Sequence, residues 1–109
     1  MQIEVTARSA SITGDLKDYA TKKAERLLKY YDRIQSIRVL LGVEGPASTC
    51  EIIVVLEHMH DLVGTSKDPD MRAAIDQSVD RMERQLAAHK DRVRSRKGRG
   101  PNPHQPSRT

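Results

Sequence analysis

The sequence predicts an α+β fold with the element order β-α-β-β-β-α, a four-stranded sheet with two helices packed on one face. Three observations predict it. Alternating or β-branched runs occur four times, at residues 2–7, 37–43, 49–57 and 62–66. Two longer stretches place apolar residues three and four apart, the period of an amphipathic helix. The chain has 109 residues, the size of one domain with an ordinary core.

The first strand rests on Ile3, Val5 and Ala7, which share one side of an extended segment. Thr13 then offers an N-cap and Asp15 a first-turn acid. Leu16, Tyr19, Ala20, Ala24, Leu27, Leu28 and Tyr31 form the apolar stripe of the first helix. Ile37, Val39, Leu41 and Val43 alternate as the second strand, which Gly45-Pro46 breaks. Residues 49–57 form the third strand, His58–Asp61 a turn, and residues 62–66 a short fourth strand. Asp68-Pro69-Asp70 reads as a helix start, with Asp68 as cap and Pro69 in the first helical position. Met71, Ile75, Val79, Met82, Leu86 and Val93 continue at helical spacing, so the second helix is expected from Pro69 to near Ser95, about 40 Å long. The strand–helix–strand unit at the start should cross over right-handedly. There is no internal repeat and no second domain.

Charge is polarised along the chain. Residues 1–80 carry 10 basic and 13 acidic side chains, and residues 81–109 carry 9 basic and 2 acidic ones. A concentrated positive end attracts a polyanion, whether nucleic acid, acidic membrane or acidic protein. The chain has no Trp or Phe and only three Tyr, so it cannot build much of a base-stacking platform. Contacts to phosphates and overall shape should dominate any nucleic-acid binding.

On a helical wheel of about 100° per residue, Lys22, Lys29, Arg33 and Arg26 form one stripe beside the apolar face of the first helix. Arg84, Arg81 and Arg92 occupy the same rotational side of the second helix, with Asp76, Asp80, Glu83 and Asp91 beyond them. If the helices lie side by side, the groove between them is expected to carry one sign of charge. Glu25–Lys29 and Asp80–Arg84 also suit ordinary surface pairs four residues apart.

Catalytic and metal chemistry finds little support. His58-x-His60 supplies two imidazoles with no third ligand nearby, and His89 and His104 have no companions at metal-ligand spacing. Cys50 is the single cysteine, which excludes an internal disulfide and fits a small buried side chain. No Gly-rich phosphate loop or G-x-S-x-G elbow occurs. The protein is expected not to be an enzyme, to need no cofactor or metal and to take no small-molecule substrate. The longest apolar run, Ile52–Leu56, is far short of a membrane span, and Met1-Gln2-Ile3-Glu4 lacks the pattern of a signal peptide, so a cytoplasmic protein is expected.

Several spaced motifs in the second half then converge. Asp70-Met71-Arg72-Ala73-Ala74-Ile75-Asp76, Arg81-Met82-Glu83-Arg84-Gln85-Leu86 and His89-Lys90-Asp91-Arg92 resemble the ribosome hibernation promoting factors, a family that includes ribosome-associated inhibitor A. Ile12-Thr13, Lys23, Arg26-Leu27 and Tyr30-Tyr31-Asp32-Arg33-Ile34 fit the same family, so the resemblance covers about residues 1–94. It implies a fold similar to double-stranded-RNA-binding domains and a function in silencing translation in stationary phase or starvation. Members bind the small ribosomal subunit in the channel for messenger RNA and transfer RNA. Matched position by position, Lys23, Arg26, Arg81, Arg84, Lys90 and Arg92 would contact the phosphates of 16S ribosomal RNA. The helical stripe adds Lys22 and Lys29, and Arg72 replaces a Tyr frequent in the family, which suggests a phosphate contact in place of stacking.

The resemblance divides the chain into a ribosome-binding hibernation factor domain at 1–95 and a flexible, basic, Pro/Gly-rich tail at 96–109. It looks like the short type, which typically assists a second small protein that pairs ribosomes, and such a partner is expected here. Two further readings stay open on the sequence: a free RNA-binding or RNA-chaperone module acting away from ribosomes, and a protein-interaction module with an acidic partner.

Overall fold

The structure, a computed structural model, describes residues 2–57 and 59–98, with side chains described as far as Lys90. Its elements are β1 (Gln2–Ala7), α1 (Gly14–Glu25) running into a 3-10 turn (Arg26–Lys29), β2 (Ile34–Glu44), β3 (Ala47–Leu56), β4 (Leu62–Asp68) and α2 (Met71–Gly98). The sheet order is β1-β2-β3-β4, with β1 parallel to β2 and the other two pairings antiparallel. The predicted α+β order holds, and both helices lie on one face of the sheet.

Strand alternation explains the layering. Register aligns Val5 with Val39, Val39 with Ile52 and Ile52 with Gly64, a row that faces the helices. Ile37, Val39, Leu41, Ile52 and Val54 are fully buried there against Ala24, Leu27, Ile75, Val79, Met82 and Leu86. The alternate residues Glu4, Arg38, Leu40, Glu51, Ile53 and Val63 face away from the helices and leave the second sheet face open. Gly45 turns the β2–β3 hairpin at φ +60°, a conformation natural to glycine.

Three local expectations change. The first helix does not stay α-helical through Tyr31, because its last turn tightens to 3-10 geometry. At about 120° per residue rather than 100°, that turn swings Leu28 out of the apolar stripe, leaving it 37% exposed while Leu27 stays buried. Thr13 occupies the N-cap position of α1 but makes no side-chain cap bond, and its carbonyl instead receives the N–H groups of Leu16 and Lys17. The second helix starts at Met71, two residues later than expected, and continues to Gly98. Asp70, not Asp68, serves its N-terminus: the Asp70 carboxylate accepts the Arg72 N–H at 3.3 Å, and its carbonyl accepts the Ala74 N–H. Asp68 takes the Asp70 N–H at 2.9 Å and the Gln77 amide at 3.2 Å, which braces the turn before the helix.

Candidate nucleic-acid interface

The two helices run parallel. β1 and β2 are parallel and α1 links them, so α1 runs back against both. β4 has the same direction as β2, because two antiparallel pairings separate them, and α2 returns over it. The contacts across the seam climb both helices together: Tyr19 to Asp76, Lys23 to Asp76, Arg26 to Glu83, and Tyr31 to His89.

Parallel packing overturns the expected groove of single-sign charge. When two parallel helices carry a basic flank on the same rotational side, one flank faces the partner helix and the other faces away from it. The inner edge of the basic flank, Arg26 with Lys23 beside it, turns toward α2 and meets the acidic flank of α2. Lys23 Nζ lies 3.3 Å from Asp76, and Arg26 Nη2 lies 3.3 Å from Glu83. The basic flank of α2 turns to the far side, over the edge of β4. There Arg81 donates to the Thr65 carbonyl at 2.8 Å, and Gln85 donates to the Val63 carbonyl at 3.1 Å.

Tyr19 anchors the start of the seam. Its hydroxyl donates to Asp76 at 2.7 Å, and this bond raises the phenol pKa above its ordinary value, with burial assisting. The Arg72 guanidinium stacks on the Tyr19 ring, 4.8 Å from its centroid, and Lys23 Nζ lies 5.8 Å from that centroid. Arg72 is exposed, so its outer donors stay open to solvent.

The nine positions singled out in the sequence therefore fall into separate groups. Lys22, Lys29, Arg84 and Lys90 are exposed and make no ion pair among the described residues. Lys23 and Arg26 are tied to carboxylates across the seam, Arg72 is stacked on Tyr19, and Arg81 belongs to the β4 edge. The side chain of Arg92 lies outside the described residues, as do His58, His104 and the tail from residue 99. The exposed cations line the outer ridge of the helical layer rather than a groove between the helices. Such a surface suits phosphates approaching from solvent.

Sequence reasoning missed the partners of these cations. Asp76 and Glu83 read as outlying surface acids, yet they define the seam. The signal was available in the β-α-β and β-β-α connectivity, which fixes the helix directions and hence which flank faces which. Among the described residues no group of three or more metal-ligating side chains occurs, and no helix is long and apolar enough to cross a membrane.

Residues 3–94 match the sequence profile of the family described as sigma 54 modulation protein / S30EA ribosomal protein. The chain is 33% identical over 96 residues to a ribosome hibernation promoting factor of Escherichia coli K12, covering 86% of this chain and 98% of the relative. It is also 33% identical over 92 residues to that of Azotobacter vinelandii, covering 84% and 85%. The N-terminal domain of Thermus thermophilus Protein Y superposes with a TM-score of 0.71 at 34% identity, covering 82% of this chain and 99% of that one. A ribosomal subunit interface protein from Coxiella burnetii shares the fold, with a TM-score of 0.75 at 22% identity over 84% and 99% of the two chains.

Proposed function

The chain belongs to the sigma 54 modulation protein / S30EA ribosomal protein family, and from that premise we propose that it binds the small ribosomal subunit and holds ribosomes in an inactive, hibernating state. The observation that carries this reading is the near end-to-end likeness to relatives named ribosome hibernation promoting factors. The outer ridge of the helices supplies the physics. Lys22, Lys29, Arg84 and Lys90 stand in solvent without carboxylate partners among the described residues, ready to meet the phosphates of 16S rRNA. Arg72, Lys23 and Arg26 flank them, the latter two after exchanging a carboxylate for a phosphate. With three tyrosines and no other aromatic residue, the contacts are to backbone and shape rather than to stacked bases.

Inhibition then follows from occupancy. A protein seated in the channel for messenger RNA and the anticodon stems excludes both without any covalent step. The natural setting is the cytoplasm of cells in stationary phase or starvation, where a second small protein pairs the silenced ribosomes. Arg92 and the residues that follow it add positive charge to the C-terminal end of the sequence.

Cosedimentation with purified 30S subunits tests this reading. The expected result is stoichiometric binding whose log affinity falls with log salt at a slope of about −4 to −5, as about six phosphate contacts require. The exposed quadruple variant Lys22→Glu, Lys29→Glu, Arg84→Glu, Lys90→Glu should lose binding while keeping its melting temperature. Undiminished binding by that variant would refute the ridge. Capture of messenger or small RNA without 16S rRNA from cells would favour a free RNA-binding module instead.

A further inference from the structure

The open face of the sheet carries a feature that the helical ridge does not use. Where that face meets the β4 edge lies a hollow of about 500 Å³, lined by β2, β3 and β4 with Arg8 on one side and Gln77 and Arg81 of α2 on the other, within the range of about 300–1,000 Å³ typical of small-molecule sites. We propose that it binds a small phosphorylated ligand of nucleotide size. Arg8 and Lys67 hold the phosphate, and Glu51, one row along the sheet with Arg81 at the rim beside it, receives a hydrogen-bond-donating edge.

The fold builds this hollow from the register of the strands. Leu40, Glu51 and Thr65 lie side by side across β2, β3 and β4, and Gly42, Thr49 and Lys67 form the next row on the same face. Arg8 follows β1 at the level of the second row, where its N–H bonds to the Leu41 carbonyl at 2.8 Å. Gly42 leaves that row without a side chain at its centre, which opens the hollow. A Cβ at Gly42 would come within 2.9 Å of Thr49 Oγ1, so the position cannot be filled without displacing the hydroxyl.

Three cations from three different elements reach this space. Arg8 is exposed and has neither ion pair nor side-chain hydrogen bond among the described residues. Lys67 pairs with Glu44 at 2.6 Å, but both side chains are about two-thirds exposed, so water screens the pair and a phosphate can compete for the ammonium. Arg81 is fixed at the edge by its bond to the Thr65 carbonyl, and its remaining guanidinium donors stay available.

Charge balance selects the kind of ligand. Across the open face, Glu4, Glu44 and Glu51 oppose Arg8, Arg38 and Lys67, and Glu4 lies 4.0 Å from Arg38. A polynucleotide laid over this face would meet a carboxylate beside Arg38 and beside Lys67, and Glu51 between the rows. A compact ligand avoids that conflict when its anion sits between Arg8 and Lys67 and a donor edge meets Glu51. A guanine base supplies such an edge, since its adjacent N–H groups match the two oxygens of a carboxylate. Arg8, Lys67 and Glu51 lie on the face opposite the helical ridge, with only Gln77 and Arg81 of α2 at the rim, so the inference stands apart from ribosome binding.

The test is an NMR titration of the 15N-labelled full chain with GDP, with inorganic phosphate and with a short RNA duplex. GDP should produce saturable amide shifts at Gly42, Thr49, Glu51 and Lys67. The double variant Arg8→Ala, Lys67→Ala, at two exposed positions, should weaken GDP at least about tenfold, equivalent to about 1.4 kcal/mol. Glu51→Gln should weaken GDP but leave the response to inorganic phosphate unchanged. The proposal is overturned if GDP gives no saturable shift by about 5 mM, a limit corresponding to negligible affinity. It is equally overturned if the double variant binds GDP like the parent, or if the RNA duplex moves the same amides more tightly than GDP does.

Discussion

Arg26 and Glu83 face each other across the helical seam, with Nη2 3.3 Å from Oε2. The carboxylate side chain is only 13% exposed, whereas the guanidinium side chain is 48% exposed. An anion arriving from solvent therefore meets the guanidinium of Arg26 before the carboxylate with which it competes. One level down, Asp76 holds both Lys23 and the Tyr19 hydroxyl, so the seam ties Lys23 and Arg26 to acids of α2.

If these carboxylates compete with RNA, removing their charge should raise affinity. Asp76→Asn and Glu83→Gln keep hydrogen-bonding capacity and shape while freeing Lys23 and Arg26. Each should tighten RNA binding severalfold and steepen the salt slope by up to about one phosphate contact. Fluorescence anisotropy over a salt series measures both effects. An unchanged or weaker affinity would instead mean that the carboxylates align the cations for RNA.

Arg81 and Gln85 donate to successive outward carbonyls of β4, at Thr65 and Val63. An open strand edge is a template for pairing with another chain, and these side chains occupy its acceptors. Gln85→Ala should cost about 1 kcal/mol in urea denaturation, the usual value of such a bond. The double variant Arg81→Ala, Gln85→Ala should in addition aggregate at lower concentration, as read by light scattering.

The elements were legible in the sequence because each depends on a local period. Ile3, Val5 and Ala7 marked one strand, and Met71, Ile75, Val79 and Met82 marked a helix, before any tertiary contact was considered. Element ends were less legible, since Asp68 and Asp70 both suit a cap, and only the hydrogen bonds separate the brace from the cap. The 3-10 turn that exposes Leu28 depends on packing at the end of α1 and leaves no periodic trace. The candidate site was legible as a set of cations and misread as a groove. The charges of Lys23, Arg26 and Arg81 could be placed on each helix, but their direction in space depends on the two helices being parallel.

The start of α2 gives a direct check of the cap assignment. Asp70→Ala removes the acceptor for the Arg72 N–H and an acid from the positive end of the helix dipole. It should cost about 1 kcal/mol, within the range of about 0.5–2 kcal/mol for lost caps. Asp70→Asn should recover most of that stability. Thermal denaturation followed by circular dichroism compares the three proteins.

Stability should fall in alkali, for two groups act in the same direction. Burial beneath α2 pushes the Cys50 thiol up to about 11, although a hydrogen bond with Ser78 opposes the shift. The hydrogen bond to Asp76 likewise raises Tyr19 above its ordinary value. In both cases the folded protein favours the neutral form. The resulting stabilisation is complete below the unfolded pKa values, near 9 for the thiol and 10 for the phenol, and is lost as pH rises through the raised folded values. The two-unit thiol shift corresponds to at most about 3 kcal/mol. Urea midpoints should therefore hold steady to near pH 9 and drop by pH 11. Cys50→Val, which puts a non-titrating apolar side chain of strand-forming type in β3, should flatten most of that drop, and Tyr19→Phe part of the remainder. The same burial makes Cys50 inert to iodoacetamide at neutral pH, so alkylation of the native protein faster than its global unfolding would contradict the assignment.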